Sequence, residues 1–82
     1  MKVFLSRKAA KALEETTSET KKRLEAKISE LLLTPFPTGS RKLRGAANAY
    51  RLRVGDYRIL YALVSEDEVL VFKIARRETA YD

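Results

Sequence analysis

The sequence predicts a small, single-domain α+β fold in which two N-terminal helices pack on a mainly antiparallel sheet, in the order β-α-α-β-β-β. Three observations carry this expectation. Apolar residues recur at helical spacing up to Leu33, a break follows at Thr34-Pro35-Phe36-Pro37-Thr38-Gly39, and strand-like runs then follow one another with short polar separations.

Taken in order, Lys2-Val3-Phe4-Leu5 alternates and reads as a short strand. Ser6 is placed to cap a first helix, whose Ala9, Ala10 and Leu13 fall on one face. Thr16-x-x-Glu19 has the spacing of a capping box, and Leu24, Ile28, Leu31 and Leu32 follow as a core stripe with Lys and Glu opposite. The second helix is therefore expected over about Thr17 to Leu33. Pro35 and Pro37 end it, because each proline restricts its own φ and disfavours helix at the residue before it. Strands are expected at Ala49–Val54, Tyr57–Val64 and Val69–Ala75, separated by Gly55-Asp56 and by Ser65-Glu66-Asp67-Glu68. Strands this close in sequence make an antiparallel meander, with one face on the helices and the other partly open.

At 82 residues, with 45% hydrophobic and 34% charged side chains, the composition is that of one globular domain spanning 1–82 rather than of a disordered chain. Seventeen Lys and Arg against eleven Asp and Glu give a net charge of +6, a balance that favours polyanionic partners such as nucleic acid, the ribosome or an acidic protein. The chain contains neither Cys nor His, which excludes disulfides, thiolate and imidazole metal ligands, a cysteine nucleophile and a histidine base. No metal or other cofactor is expected. Met1–Leu5 is too short for the apolar region of a signal peptide and no run approaches a membrane span, so no membrane association is expected and the cytoplasm is the expected location.

The basic residues are densest in Arg41-Lys42-Leu43-Arg44-Gly45 and Tyr50-Arg51-Leu52-Arg53-Val54-Gly55-Asp56-Tyr57-Arg58, six cations against one acid. Strand alternation sends Arg51 and Arg53 to one face and Tyr50, Leu52 and Val54 to the other. Arg58, just after the Gly55-Asp56 turn, is expected beside Arg53 on the neighbouring strand. Alternating arginines also keep an exposed sheet face soluble. Three neighbouring cations, however, repel unless an anion joins them. The end of the chain, Arg76-Arg77-Glu78-Thr79-Ala80-Tyr81-Asp82, reads either as a soluble tail or as two more phosphate clamps with a ring on which an unstacked base can lie. Tyr57 and Tyr61 are read as packing residues.

Lys42-Leu43-Arg44-Gly45, the run from Tyr50 to Tyr61, Val69-Leu70-Val71-Phe72 and Arg77-x-x-x-Tyr81 together resemble the RelE family of type II toxin–antitoxin toxins, within the wider RelE/ParE superfamily. The resemblance spans essentially the whole chain, with its specific motifs in the second half. It implies a metal-independent endoribonuclease that cuts messenger RNA in the ribosomal decoding site, arrests translation, and is held inactive in a hetero-oligomer with a cognate antitoxin. By position it implies Arg51, Arg53 and Arg58 as phosphate-binding catalytic residues, Arg76 or Arg77 as the C-terminal arginine and Tyr81 as the ring, with Lys42 and Arg44 as further RNA contacts. Two departures stand out: arginine occupies positions 51 and 53, where many ribonucleolytic relatives carry lysine, and Arg76 stands where many carry histidine. Arginine, with a pKa above about 12, clamps phosphate and does not accept protons near neutrality. The alternatives are a ParE-like toxin that inhibits DNA gyrase and a non-catalytic nucleic-acid-binding relative.

Overall fold

The structure is a computed structural model describing residues 1–76. Strand β1 (Lys2–Leu5) leads directly into helix α1 (Arg7–Glu14). Between them the Ser6 side chain accepts a hydrogen bond from the Ala9 backbone N–H at 3.1 Å and donates one to the Phe72 carbonyl at 3.3 Å. One hydroxyl thus caps the helix and ties its start to the sheet. Ala9 and Leu13 of α1 are buried against strand residues, as their spacing predicts.

Helix α2 spans Ser18–Glu30 and starts one residue later than a Thr16 capping box would place it. The Thr16 hydroxyl donates to the Leu13 carbonyl at 2.8 Å, at the end of α1, and Thr17 caps α2 by accepting from the Thr20 N–H at 3.2 Å. Thr16 thus belongs to the end of α1, and Thr17 is the N-cap of α2. At its other end α2 tightens into three-residue hydrogen bonds, Leu31 N–H to Ile28, Leu32 to Ser29 and Leu33 to Glu30. This stops the helix before Leu33 and rotates Leu32 away from the core: Leu24 and Leu31 are buried, but Leu32 is 50% exposed. Among the described residues no helix is long and apolar enough to cross a membrane.

The sheet has five strands in the order β1-β5-β4-β3-β2, where β2 is Arg41–Lys42, β3 Ala49–Val54, β4 Tyr57–Ser65 and β5 Glu68–Arg76. The predicted meander is β3-β4-β5, and β1 joins β5 in parallel. The two-residue β2, not expected from the sequence, pairs antiparallel with β3 at the edge. Leu52, Ile59, Tyr61, Val69, Val71 and Ile74 meet Ala9, Leu13, Leu24 and Leu31 in one core between the sheet and the helices. Gly55, in the β3–β4 turn, has φ of +59°, and a Cβ there would come within 3.0 Å of the Arg23 guanidinium of α2. The backbone conformation is what calls for glycine, since the exposed Arg23 side chain could swing aside.

Strand β5 carries a bulge that decides which of its residues face outward. Leu60 pairs with Lys73 but Tyr61 pairs with Val71, leaving Phe72 as the extra residue. Val69 and Val71 face the core before the bulge and Ile74 faces it afterwards. The phase therefore flips, sending Lys73 and Ala75 to the open face and Arg76 to the helix side.

Candidate phosphate-binding face

The hairpin turn at Gly55-Asp56 sets the register of β3 against β4, and that register brings the central arginines together. Arg53 lies directly opposite Arg58, and Arg51 opposite Leu60. Directly opposed residues of an antiparallel pair share a face with Cβ atoms roughly 5 Å apart. Arg51, Arg53 and Arg58 thus form one cluster on the sheet face away from the helices, as their alternation predicts. The other face of the same hairpin is apolar: Tyr50 opposes Tyr61, Leu52 opposes Ile59 and Val54 opposes Tyr57.

Edge strand β2 adds Arg41, which pairs with Arg51. Gly39, Arg41, Arg51 and Arg53 line an open groove along this side of the sheet. Two rows of side chains now cross the strands. One runs Arg41, Arg51, Leu60, Lys73 and the other Arg53, Arg58, Ala75, so the seven positions carry five cations and no acid. Leu60, although on this outer face, is only 4% exposed and forms an apolar floor between Arg51 and Lys73. Arg58 is half-buried with its Nε shielded from solvent, whereas Arg53 is exposed. A guanidinium held in place by its surroundings offers a fixed fork of donors, suited to bidentate binding of a phosphate.

The remaining candidates are distributed differently. Lys42 pairs with Tyr50 and so stands on the helix side of the sheet edge. Arg44 is exposed in the turn after β2. Arg76 pairs with Tyr57, also on the helix side and away from Arg58, because of the bulge at Phe72. Arg77 and Tyr81 lie outside the described residues. Arg41 and Lys73 are the face residues that alternation alone does not reveal: one sits on a strand of two residues, the other reaches the face only through the bulge.

Tyrosines 50 and 61 have structural roles. Their rings stack with centroids 5.7 Å apart, and Phe36 meets Tyr50 edge-on at 5.1 Å. The fully buried Tyr61 donates its hydroxyl proton to the Pro35 carbonyl at 2.7 Å, pinning the loop after α2 to the sheet. Burial pushes the Tyr61 phenol above its ordinary pKa, with a hydrogen bond to Ser40 opposing the shift and the neighbouring Tyr50 adding to it. It therefore stays protonated and takes no part in proton transfer at neutral pH.

Known proteins share both the fold and the sequence. Residues 3–81 match the family of ParE toxins of type II toxin–antitoxin systems. Toxin RelE3 of Methanocaldococcus jannaschii is 30% identical over 86 aligned positions, covering 100% of this chain and 97% of the relative. The archaeal RelE–RelB complex of Pyrococcus horikoshii OT3 contains a chain that superposes with a TM-score of 0.81 at 26% identity, covering 96% of this chain and 97% of that one. A chain of the intact E. coli RelBE toxin–antitoxin complex gives 0.77 at 27% identity, with 92% and 94% covered. With a match that extends over nearly its whole length and a sheet-and-helix architecture common to RelE, this chain belongs to the RelE/ParE superfamily of type II toxin–antitoxin toxins and is RelE-like within it.

Proposed function

We propose that this toxin is a ribosome-dependent endoribonuclease that cleaves messenger RNA in the cytoplasm and so arrests translation. The observation that carries the reading is the cluster of Arg51, Arg53 and Arg58 on the open sheet face, set by the register that opposes Arg53 and Arg58. RNA carries its own nucleophile. The 2′-oxygen attacks the adjacent phosphorus in line, the 5′-oxygen leaves, and the 2′-hydroxyl proton must depart while the leaving oxygen gains one. Arg51, Arg53 and Arg58 clamp the phosphate through charge-assisted hydrogen bonds and stabilise the charge that builds on it, without a metal ion. Of the two C-terminal arginines we assign the transition-state role to Arg77, because Arg76 pairs with Tyr57 on the helix side of the sheet. Tyr81 stacks on a base or carries a proton. Lys42 and Arg44 add weaker contacts to the flanking backbone. Arginine at positions 51 and 53 binds well but removes no proton, so the ribosome supplies much of the rate by holding the messenger in a reactive conformation.

The antitoxin complexes of the RelE relatives support a cognate antitoxin for this chain too. Acidic segments of that partner meet the arginine face, so charge speeds encounter and apolar anchors hold the hetero-oligomer together.

Primer extension on cellular messenger RNA after induced expression tests the activity. Discrete cuts inside translated codons are expected. Intact messenger together with arrested DNA replication would instead assign the chain to gyrase inhibition.

A further inference from the structure

We propose that Arg41 and Lys73 bind the RNA backbone on either side of the arginine cluster, so that the single strand crosses the sheet perpendicular to its strands, from β2 to β5. The inference rests on the RNA-cleaving function proposed above and adds two binding residues and a direction to it.

The register defines the track. Arg41 opposes Arg51, Arg51 opposes Leu60, and Leu60 opposes Lys73. Four strands spaced about 4.8 Å apart span roughly 14 Å from the first position to the last, enough for more than one phosphate of an extended strand. The second row, with Arg53 and Arg58, runs parallel to it two residues away, about 6.7 Å along the strands. Between the terminal cations the row holds a half-buried arginine and the low floor of Leu60, and none of its four positions is acidic. Arg41 and Lys73 are both exposed. Arg41 also lines the groove shared with Arg51 and Arg53, which joins the track to the central cluster. The bulge exchanges the cation that β5 presents: strict alternation would turn Arg76 to this face, whereas the bulge turns Lys73 outward, in line with Leu60, Arg51 and Arg41. Exposed cations spread along a path, with rigid clamps at its centre, suit a ligand whose negative charge repeats along a chain.

The test uses the intact toxin, freed from its antitoxin, and a fluorescein-labelled single-stranded RNA titrated by anisotropy over a series of salt concentrations. Each phosphate contact on single-stranded nucleic acid contributes about 0.7 to the slope of log affinity against log salt. Arg41→Gln and Lys73→Gln are each expected to lower that slope by about 0.7 and the double variant by about 1.4. Arg41→Lys should restore it, since a point charge satisfies a backbone contact. In ribosome-dependent cleavage, KM should rise several-fold while kcat stays within twofold. Lys22→Gln, an equal loss of charge at an exposed position on α2, is the control and should leave the slope unchanged. If the two variants shift the slope no more than Lys22→Gln does, the track is wrong, even if they weaken binding of an acidic antitoxin segment. If the wild-type toxin neither binds nor cleaves RNA, the ribonuclease reading falls as well.

Discussion

On its helix side strand β3 presents Tyr50, Leu52 and Val54 to the core, while on its other side it presents Arg51 and Arg53 to the groove beside Gly39. The two faces use the same backbone, one pleat apart, and so share one register. Opposed pairs on the apolar side, Leu52 with Ile59 and Tyr50 with Tyr61, fix the register that aligns Arg53 with Arg58. A slip of one residue would send the arginines into the core and the leucine into solvent. Core packing thus offsets the repulsion among the clustered cations, and the site exists because the opposite face holds it in place. RNA-binding surfaces built on sheets generally need such a division, since a cationic face cannot fold by itself.

The comparison is broken most severely by cutting into the apolar side. Leu52 and Ile59 are both fully buried, so Leu52→Ala removes packing that the surrounding structure cannot replace. Its expected cost is about 2–5 kcal/mol, a large part of the stability of so small a domain, measured as the loss in urea-unfolding free energy. RNA binding should fall only as the unfolded fraction rises. A Leu52→Ala protein of unchanged stability would show that the helix side does not hold the register.

The opposite perturbation acts on the open face. Arg58→Ala should reduce messenger cleavage by about 10²–10³-fold, the effect typical of removing one preorganised donor to a developing charge. Its far-UV circular dichroism should match that of the wild type, since Arg58 lies outside the buried cluster. Unchanged cleavage by this folded variant would remove the arginine cluster from the mechanism.

How far the sequence reveals these faces depends on the local rule each residue obeys. Arg53 and Arg58 are legible as neighbours because a two-residue turn leaves one register open to the flanking strands. Ser6 is legible as a helix cap because it is the one hydroxyl at the start of α1, and its donation to the Phe72 carbonyl leaves its oxygen lone pairs to accept from Ala9. Thr16 and Thr17 are adjacent hydroxyls that local sequence does not separate; Thr16 closes the end of α1 on the Leu13 carbonyl and Thr17 caps α2. Lys73 and Arg76 are misplaced by strict alternation for a different reason. The bulge at Phe72 answers to the packing of Val71 and Ile74 on the helices, a tertiary demand that no two-residue period contains. Strand β2 is too short to leave a periodic trace, and its Arg41 becomes a face residue only through pairing with Arg51.

The smallest expected effect sharpens the comparison at the seam between the two faces. Tyr61 is wholly buried on the helix side, stacks on Tyr50 and donates to the Pro35 carbonyl at 2.7 Å. Tyr61→Phe keeps the ring and loses the hydrogen bond, so stability at pH 7 should fall by about 1 kcal/mol, with Arg51, Arg53 and Arg58 undisturbed. The same substitution should change the response to alkali. Burial raises the folded-state pKa of this phenol above the unfolded value of 10.0. Below that value both states hold the proton and the stabilisation is complete. As pH rises past it the unfolded chain releases its proton while the folded chain retains it, so stability is lost until pH exceeds the folded-state pKa. Lys21, raised by its hydrogen bond to Glu14 and then by the charge of that carboxylate, also loses stabilisation at high pH, but equally in both proteins. The difference between wild type and Tyr61→Phe in urea titrations from pH 7 to pH 11 therefore isolates the phenol, since phenylalanine has no proton to lose. The wild type should lose more stability than the variant above about pH 10, bringing the two curves together. Parallel curves across that range would show that Tyr61 ionises as readily in the folded protein as in the unfolded chain, and that the helix side is wetter than its packing implies.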